Sequence, residues 1–181
     1  MRRTRAAMAL AALATAAAAV GGGGGASAAS AKAYAPPYKL GPSGGDSFNV
    51  MHNDPTTGRI AVARAYPIPA GISCGGASAY QQQRIRHKVT TRVKKVTVTY
   101  DEAVADSYTF LTLLVRTEGG RFLGSARVRG PLLDTGALAA AVNGRSLKKG
   151  SVIVIDFGLS VSSACPSADG GTVHLPRVAV S

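Results

Sequence analysis

The sequence predicts a mainly β domain, an antiparallel β-sandwich or partly open barrel carrying one short helix and one disulfide. Several segments alternate apolar and polar residues with period two, and Gly-, Pro- and Asp-containing turns separate them at short intervals. The repeated helical patterns that a doubly wound α/β fold requires are missing. No internal repeat or second core pattern occurs, so the strands belong to one domain.

The first 33 residues read as an export signal. Arg2, Arg3 and Arg5 form a positive start, residues 6–20 are apolar apart from Thr15, and small residues permit cleavage after Ala28 or after Ala33. A membrane helix is the competing reading, but the apolar run is shorter than the roughly 20 residues a span needs, and five glycines follow it. The mature chain is expected to be secreted or extracytoplasmic, with the cell envelope as a place of association and no transmembrane segment. Cleavage after Ala33 leaves 148 residues, enough for one domain. Without Arg2, Arg3, Arg5 and Lys32, 17 basic residues face nine acids, and the net charge of +12 becomes +8. Such a balance favours anionic neighbours without naming one.

Residues 34–58 are rich in Pro and Gly and read as an irregular arm with one short strand near Phe48 to Met51; residues 59–181 carry the β-domain. RIAVARAYPI (59–68) places Ile60, Val62 and Tyr66 on one face and ends at Pro67 and Pro69. Cys74 and Cys165 are the only cysteines, and in an oxidising compartment two thiols without a C-x-x-C spacing imply one intramolecular clamp.

RIRHKVTTRVKK (84–95) resolves by parity. Ile85, His87, Val89, Thr91 and Val93 share one face of a strand, while Arg84, Arg86, Lys88, Arg92 and Lys94 share the other. At Lys94 and Lys95 the parity changes to Val96, Val98 and Tyr100, which requires a bulge, a tight bend or a change of sheet. YTFLTLLVRT (108–117) is a central strand, EGGR turns the chain, and Phe122, Ala126 and Val128 share parity on the return. DTGALAAAVNG (134–144) reads as the short helix, with Asp134 or Thr135 as its cap and Gly144 as its stop. SVIVIDFGLSV (151–161) is a buried strand interrupted by Asp156, and TVHLPRVAV forms a last strand broken at Pro176.

Catalytic and metal motifs are weak. GPSGG (41–45) and GISCG (71–75) match G-x-S-x-G, but neither Ser43 nor Ser73 stands between a strand and a helix as a nucleophile elbow must. His52, His87 and His174 have no metal-ligand spacing, and Asp101, Glu102 and Asp106 lack the alternation of a calcium loop. Neither a phosphate loop nor a dinucleotide fingerprint is present, so no cofactor or metal is expected.

The basic face of Arg84, Arg86, Lys88, Arg92 and Lys94 is the candidate binding site. Same-face groups on a strand stand about 7 Å apart and can track an anionic polymer. Without interleaved aromatics, finger spacing or a recognition helix, nucleic acid is not the expected partner. The sequence thus favours a secreted noncatalytic binding or interaction domain contacting acidic wall polymer, anionic lipid headgroups or a protein. Two alternatives stand beside it. One is a small hydrolase whose distant loops bring His87, Asp156 and His174 together; the other is a protein inhibitor presenting GPSGGDS or ISCGGAS.

Overall fold

The computed structural model describes residues 31–44, 49–64, 78–105, 109–162 and 170–181. The signal through residue 30, Tyr66, Ser73, Asp106 and both Cys74 and Cys165 of the expected disulfide lie outside the described residues. In chain order the strands are β1 (Lys32–Tyr34), β2 (Lys39–Gly44), β3 (Asn49–Asp54), β4 (Arg59–Arg64), β5 (Ser78–Lys88), β6 (Lys95–Ala105), β7 (Thr109–Thr117), β8 (Phe122–Arg129), β9 (Leu132–Ala141), β10 (Val152–Ser162) and β11 (Gly170–Val180). One sheet runs β3-β4-β11-β6-β9, with β1 also paired to β11, and the other runs β2-β5-β10-β7-β8. The strand pairings are antiparallel, and the two sheets face each other without closing into a barrel.

Period-two alternation builds the core between the sheets. Ile153, Ile155, Phe157, Leu159 and Val161 project inward from β10, and Leu111, Leu113 and Val115 do so from β7. Val96 and Val98 on β6 and Val173, Leu175, Val178 and Val180 on β11 meet them from the other sheet. Burying Phe157 alone contributes about 1.5–3 kcal/mol, and Tyr38 stacks edge-on against its ring with centroids 5.1 Å apart. The Tyr38 hydroxyl donates to the Leu175 carbonyl at 3.0 Å, and burial pushes its pKa upward.

The region expected to be an arm contributes β2, all of β3 and the end of β1. Its Asn53 donates to the Gln82 carbonyl at 3.0 Å, and buried Gln83 donates back to Asn53 at 2.9 Å, tying β3 to β5 across the sandwich. β3 falls where the one short strand was expected, whereas proline and glycine density concealed β2 and the end of β1, short strands at sheet margins where such residues are tolerated.

The parity break at Lys94 and Lys95 is a change of sheet. β5 ends at Lys88 rather than continuing to Lys94, residues 89–94 cross the end of the sandwich, and β6 begins in the opposite sheet. Val89 and Val93 remain buried in this crossing.

The expected helix at 134–144 is replaced by β9. Leu138 lies opposite Val98 and Ala140 opposite Val96, and Leu138, Ala140 and Val142 are buried. The alanines favour helix locally, but pairing to β6 decides the backbone. Asp134 adopts φ 60 in the strand instead of capping a helix. On β8 a register shift opposite Val115 and Arg116 moves the inward position from Phe122 to Leu123, leaving Phe122 62% exposed. Ala126 and Val128 keep their expected packing against the core. β11 continues through Pro176 with a register shift between His174 and Arg177.

β1 sits beside the last strand, with Lys32 opposite Val180 and Ala33 opposite Ala179. A chain beginning at Tyr34 loses those pairings, whereas one beginning at Ala29 keeps them. Thermal and denaturant unfolding of the two versions is expected to show the shorter chain less stable by about 1–2 kcal/mol, the scale of one or two net hydrogen bonds.

Candidate functional site

Cross-strand register lays out the outer face of the five-stranded sheet in rows, because residues directly opposite one another share a face. Lys39, Arg84, Asp156, Leu114 and Ser125 form one row. Gln82, Gly158, Thr112 and Arg127 form the next, and Tyr80, Ser160, Phe110 and Arg129 the one beyond.

Asp156 faces outward yet has no exposed surface. Two arginines enclose it: Arg84 Nε donates to Asp156 Oδ1 at 2.7 Å, and Arg116 Nη2 donates to Oδ2. Arg84 also reaches Oδ2 at 3.3 Å. A lone carboxylate on this central strand would be costly to dehydrate, and the flanking guanidiniums offset that cost. The hydrogen bond to Asp156 raises the pKa of Arg84. The next arginine of the row, Arg86, pairs with Glu118 in the β7–β8 turn.

This redistributes the predicted binding residues. Arg84, Arg86 and Lys88 do project outward from β5, but the first two are engaged with carboxylates. Arg92 and Lys94 belong to the crossing between sheets, so the five cations do not form one strand stripe.

At that crossing a hollow of about 520 Å³ lies between two loops. Thr90, Thr91 and Arg92 come from one loop, Arg145 and Lys149 from the other, over an apolar base including Val89 and Leu147. Backbone hydrogen bonds pin the loops together: Val89 N to Ser151 O, Gly150 N to Val89 O and Val142 N to Lys94 O, each 2.8 Å. Gly150 has φ +90, a left-handed turn conformation that glycine permits. Among the described residues no acid lines the hollow, and none of their ion pairs engages Arg92, Arg145 or Lys149. Arg145 and Lys149 were missed in the sequence because GRSLKKG reads as a connector; only loop packing brings them to Arg92.

The three residues of the hydrolase alternative do not converge. His87 points between the sheets and shares a 2.7 Å hydrogen bond with the Tyr34 hydroxyl, Asp156 lies on the outer face of the five-stranded sheet, and His174 lies on the outer face of the other. His174 Nδ1 meets Asp101 Oδ1 at 2.6 Å, while Glu102 pairs with Arg59 at 2.5 Å. Asp101, Glu102 and His174 each offer a ligand atom within 4.8 Å of the others, at bulges in β6 and β11, and Arg59 supplies a cation to this cluster. Exposed His52 lies on β3, and Ser43 lies within β2 rather than on an elbow.

No protein-family model matches the chain, and no curated protein matches it. Among solved structures it is similar to the enzymatically active domain of tailspike protein 4 of bacteriophage CBA120, with 14% identity, 84% of this chain covered and a TM-score of 0.42. The chain spans 19% of that protein's length. It is also similar to CsCBM6-3 from Clostridium stercorarium in complex with cellobiose, at 14% identity over 83% of this chain and 92% of that one, with a TM-score of 0.40. A carbohydrate-binding module, CBM36, in complex with calcium and xylotriose gives 11% identity over 83% and 99%, again with a TM-score of 0.40. At this degree of similarity the ligands of those proteins do not transfer to this chain.

Two consequences are measurable. Replacing both Arg84 and Arg116 by Gln strands a buried carboxylate and is expected to cost about 3–5 kcal/mol in denaturant unfolding, more than D156N, which removes the buried charge itself. For His87, burial and the nearby Lys32 charge lower the pKa below the ordinary histidine value of 6.5. The unfolded chain therefore binds the proton first, and stability present above about pH 6.5 declines as pH falls toward the folded pKa. Thermal midpoints compared at about pH 7.5 and 5.5 are expected to fall further in the parent than in H87Q.

Proposed function

We propose that the chain is an exported, noncatalytic binding domain that holds an anionic polymer of the cell envelope at the loop end of the sandwich. The observation that carries this reading is the convergence of Arg92, Arg145 and Lys149 on one hollow that no acid among the described residues lines. Bringing like charges together opposes folding unless another contact compensates, and a bound anion does so. The backbone links between the loops fix their separation before a ligand arrives, which limits the ordering cost of binding.

Export rests on the basic start, the apolar run and the small residues of the first 33 positions. Cleavage after Ala28 suits the fold better than cleavage after Ala33, because β1 begins at Lys32. The noncatalytic reading is supported by the separation of His87, Asp156 and His174 over different faces.

The ligand is held chiefly by charge, so binding should weaken with ionic strength as the Debye length shortens. Calorimetric titration of residues 29–181 with a polyuronate and with inorganic polyphosphate, at about 20 mM and about 300 mM salt, tests this. Binding of both polymers at low salt, weakened at high salt, is expected. Exchanging Arg92, Arg145 and Lys149 together for Gln should reduce affinity by about tenfold or more, from three modest ionic contacts. No binding of either polymer at low salt would overturn the reading, as would binding only to anionic lipid vesicles.

A further inference from the structure

A second hollow, also about 520 Å³, lies on the outer face of the five-stranded sheet, away from the loop end. Tyr80, Gln82, Thr112, Ser160 and Arg127 contribute its chemistry. Its shape follows from the strand register. Gly158 stands between Gln82 and Thr112 and presents no side chain, since an added Cβ there would overlap the Gln81 carbonyl. Gln82 Nε2 therefore reaches Thr112 Oγ1 at 3.4 Å across the central strand, and Thr112 Oγ1 donates to the Gly158 carbonyl at 3.2 Å. Glycine inside a strand often marks a place where another group approaches the backbone closely.

The polar groups fit a hydroxyl-rich ligand. The Gln82 amide and the Thr112, Ser160 and Tyr80 hydroxyls offer both donors and acceptors, as a polyol demands. Tyr80 is 38% exposed and adds an aromatic ring at the wall. Arg127 supplies the charge. Its guanidinium lies 3.5 Å from the centroid of the Phe110 ring, and stacking there leaves the in-plane N–H groups to meet an anion. Among the described residues no acid lines this hollow, and Asp156, in the neighbouring row of the same face, is enclosed by Arg84 and Arg116. None of the ion pairs among the described residues engages Arg127, and its planar fork matches a carboxylate on the ligand.

We infer that this cleft binds a carboxylated sugar unit, Arg127 taking the carboxylate and Gln82, Thr112 and Ser160 the hydroxyls. The inference rests on the polyanion-binding reading for its biological setting, but it concerns a different place on the molecule. In a uronic-acid polymer, one unit occupies the cleft while further carboxylates meet the cations of the loop end. Polyphosphate has no sugar hydroxyls and engages the loop end alone.

The experiment uses residues 29–181, a uronic-acid trisaccharide, its carboxyl-reduced neutral counterpart and inorganic polyphosphate, with binding followed by calorimetry and amide chemical shifts. The trisaccharide should perturb Tyr80, Gln82, Thr112 and Arg127, and the neutral counterpart should bind about tenfold more weakly, the loss of one charge-assisted contact. R127Q and Y80A should each weaken the trisaccharide by about tenfold and leave polyphosphate unchanged. R127K, keeping the charge and losing the fork, should lie between parent and R127Q. Unchanged trisaccharide affinity in correctly folded R127Q and Y80A would overturn the cleft and leave the loop-end reading intact. Equal binding of the neutral sugar would remove the carboxylate assignment. Polyphosphate failing to bind while the trisaccharide perturbs the cleft would overturn the loop-end reading alone.

Discussion

The central strands of this domain answer to one constraint: an apolar row with period two must find the opposite sheet. β10 satisfies it most completely, with Ile153, Ile155, Phe157, Leu159 and Val161 all buried on one face. Once that face is committed, the intervening positions are forced outward, including Asp156. The paired arginines on β5 and β7 follow from this placement. A carboxylate cannot leave the outer face without moving the whole apolar row, so its neighbours must supply the charge and hydrogen bonds that water would otherwise provide.

The same constraint divides the basic residues into two populations. Arg84 and Arg86, on the outer face of the five-stranded sheet, stand against acids brought in by neighbouring strands or turns, Asp156 and Glu118. Those in the connections are governed instead by how the chain changes sheet. Residues 89–94 must cross the end of the sandwich, and the loop before β10 packs beside them. The charges of Arg84 and Arg86 are consequently offset on β5, while Arg92, Arg145 and Lys149 gather at the crossing. Net charge alone carries no information about that division.

Much of the fold was legible because alternation encodes inward and outward directions directly. Ile85 and Val89, Leu111 and Val115, and Ile153 and Ile155 all occupy the buried positions their parity implies. The reading failed where two signals competed. Ala137, Ala139 and Ala140 carry strong helix preference, but their pairing to Thr99, Thr97 and Val96 lies some 40 residues away and leaves no local mark. Leu123 replaced Phe122 inside because a bulge is invisible without the partner strand. Of the binding residues, the outward direction of Arg84, Arg86 and Lys88 was readable; the engagement of the first two, and the meeting of Arg92 with Arg145 and Lys149, depend on contacts between distant segments.

The pairing of Lys32 with Val180 places both ends of the described fold at one corner of the six-stranded sheet. Tension applied between those ends would act first on the three-residue junction of β1 with β11, opening it pair by pair like a short zipper. The central strands would be shielded until that junction parted. Held by both ends, the domain would hang from a single corner of its six-stranded sheet.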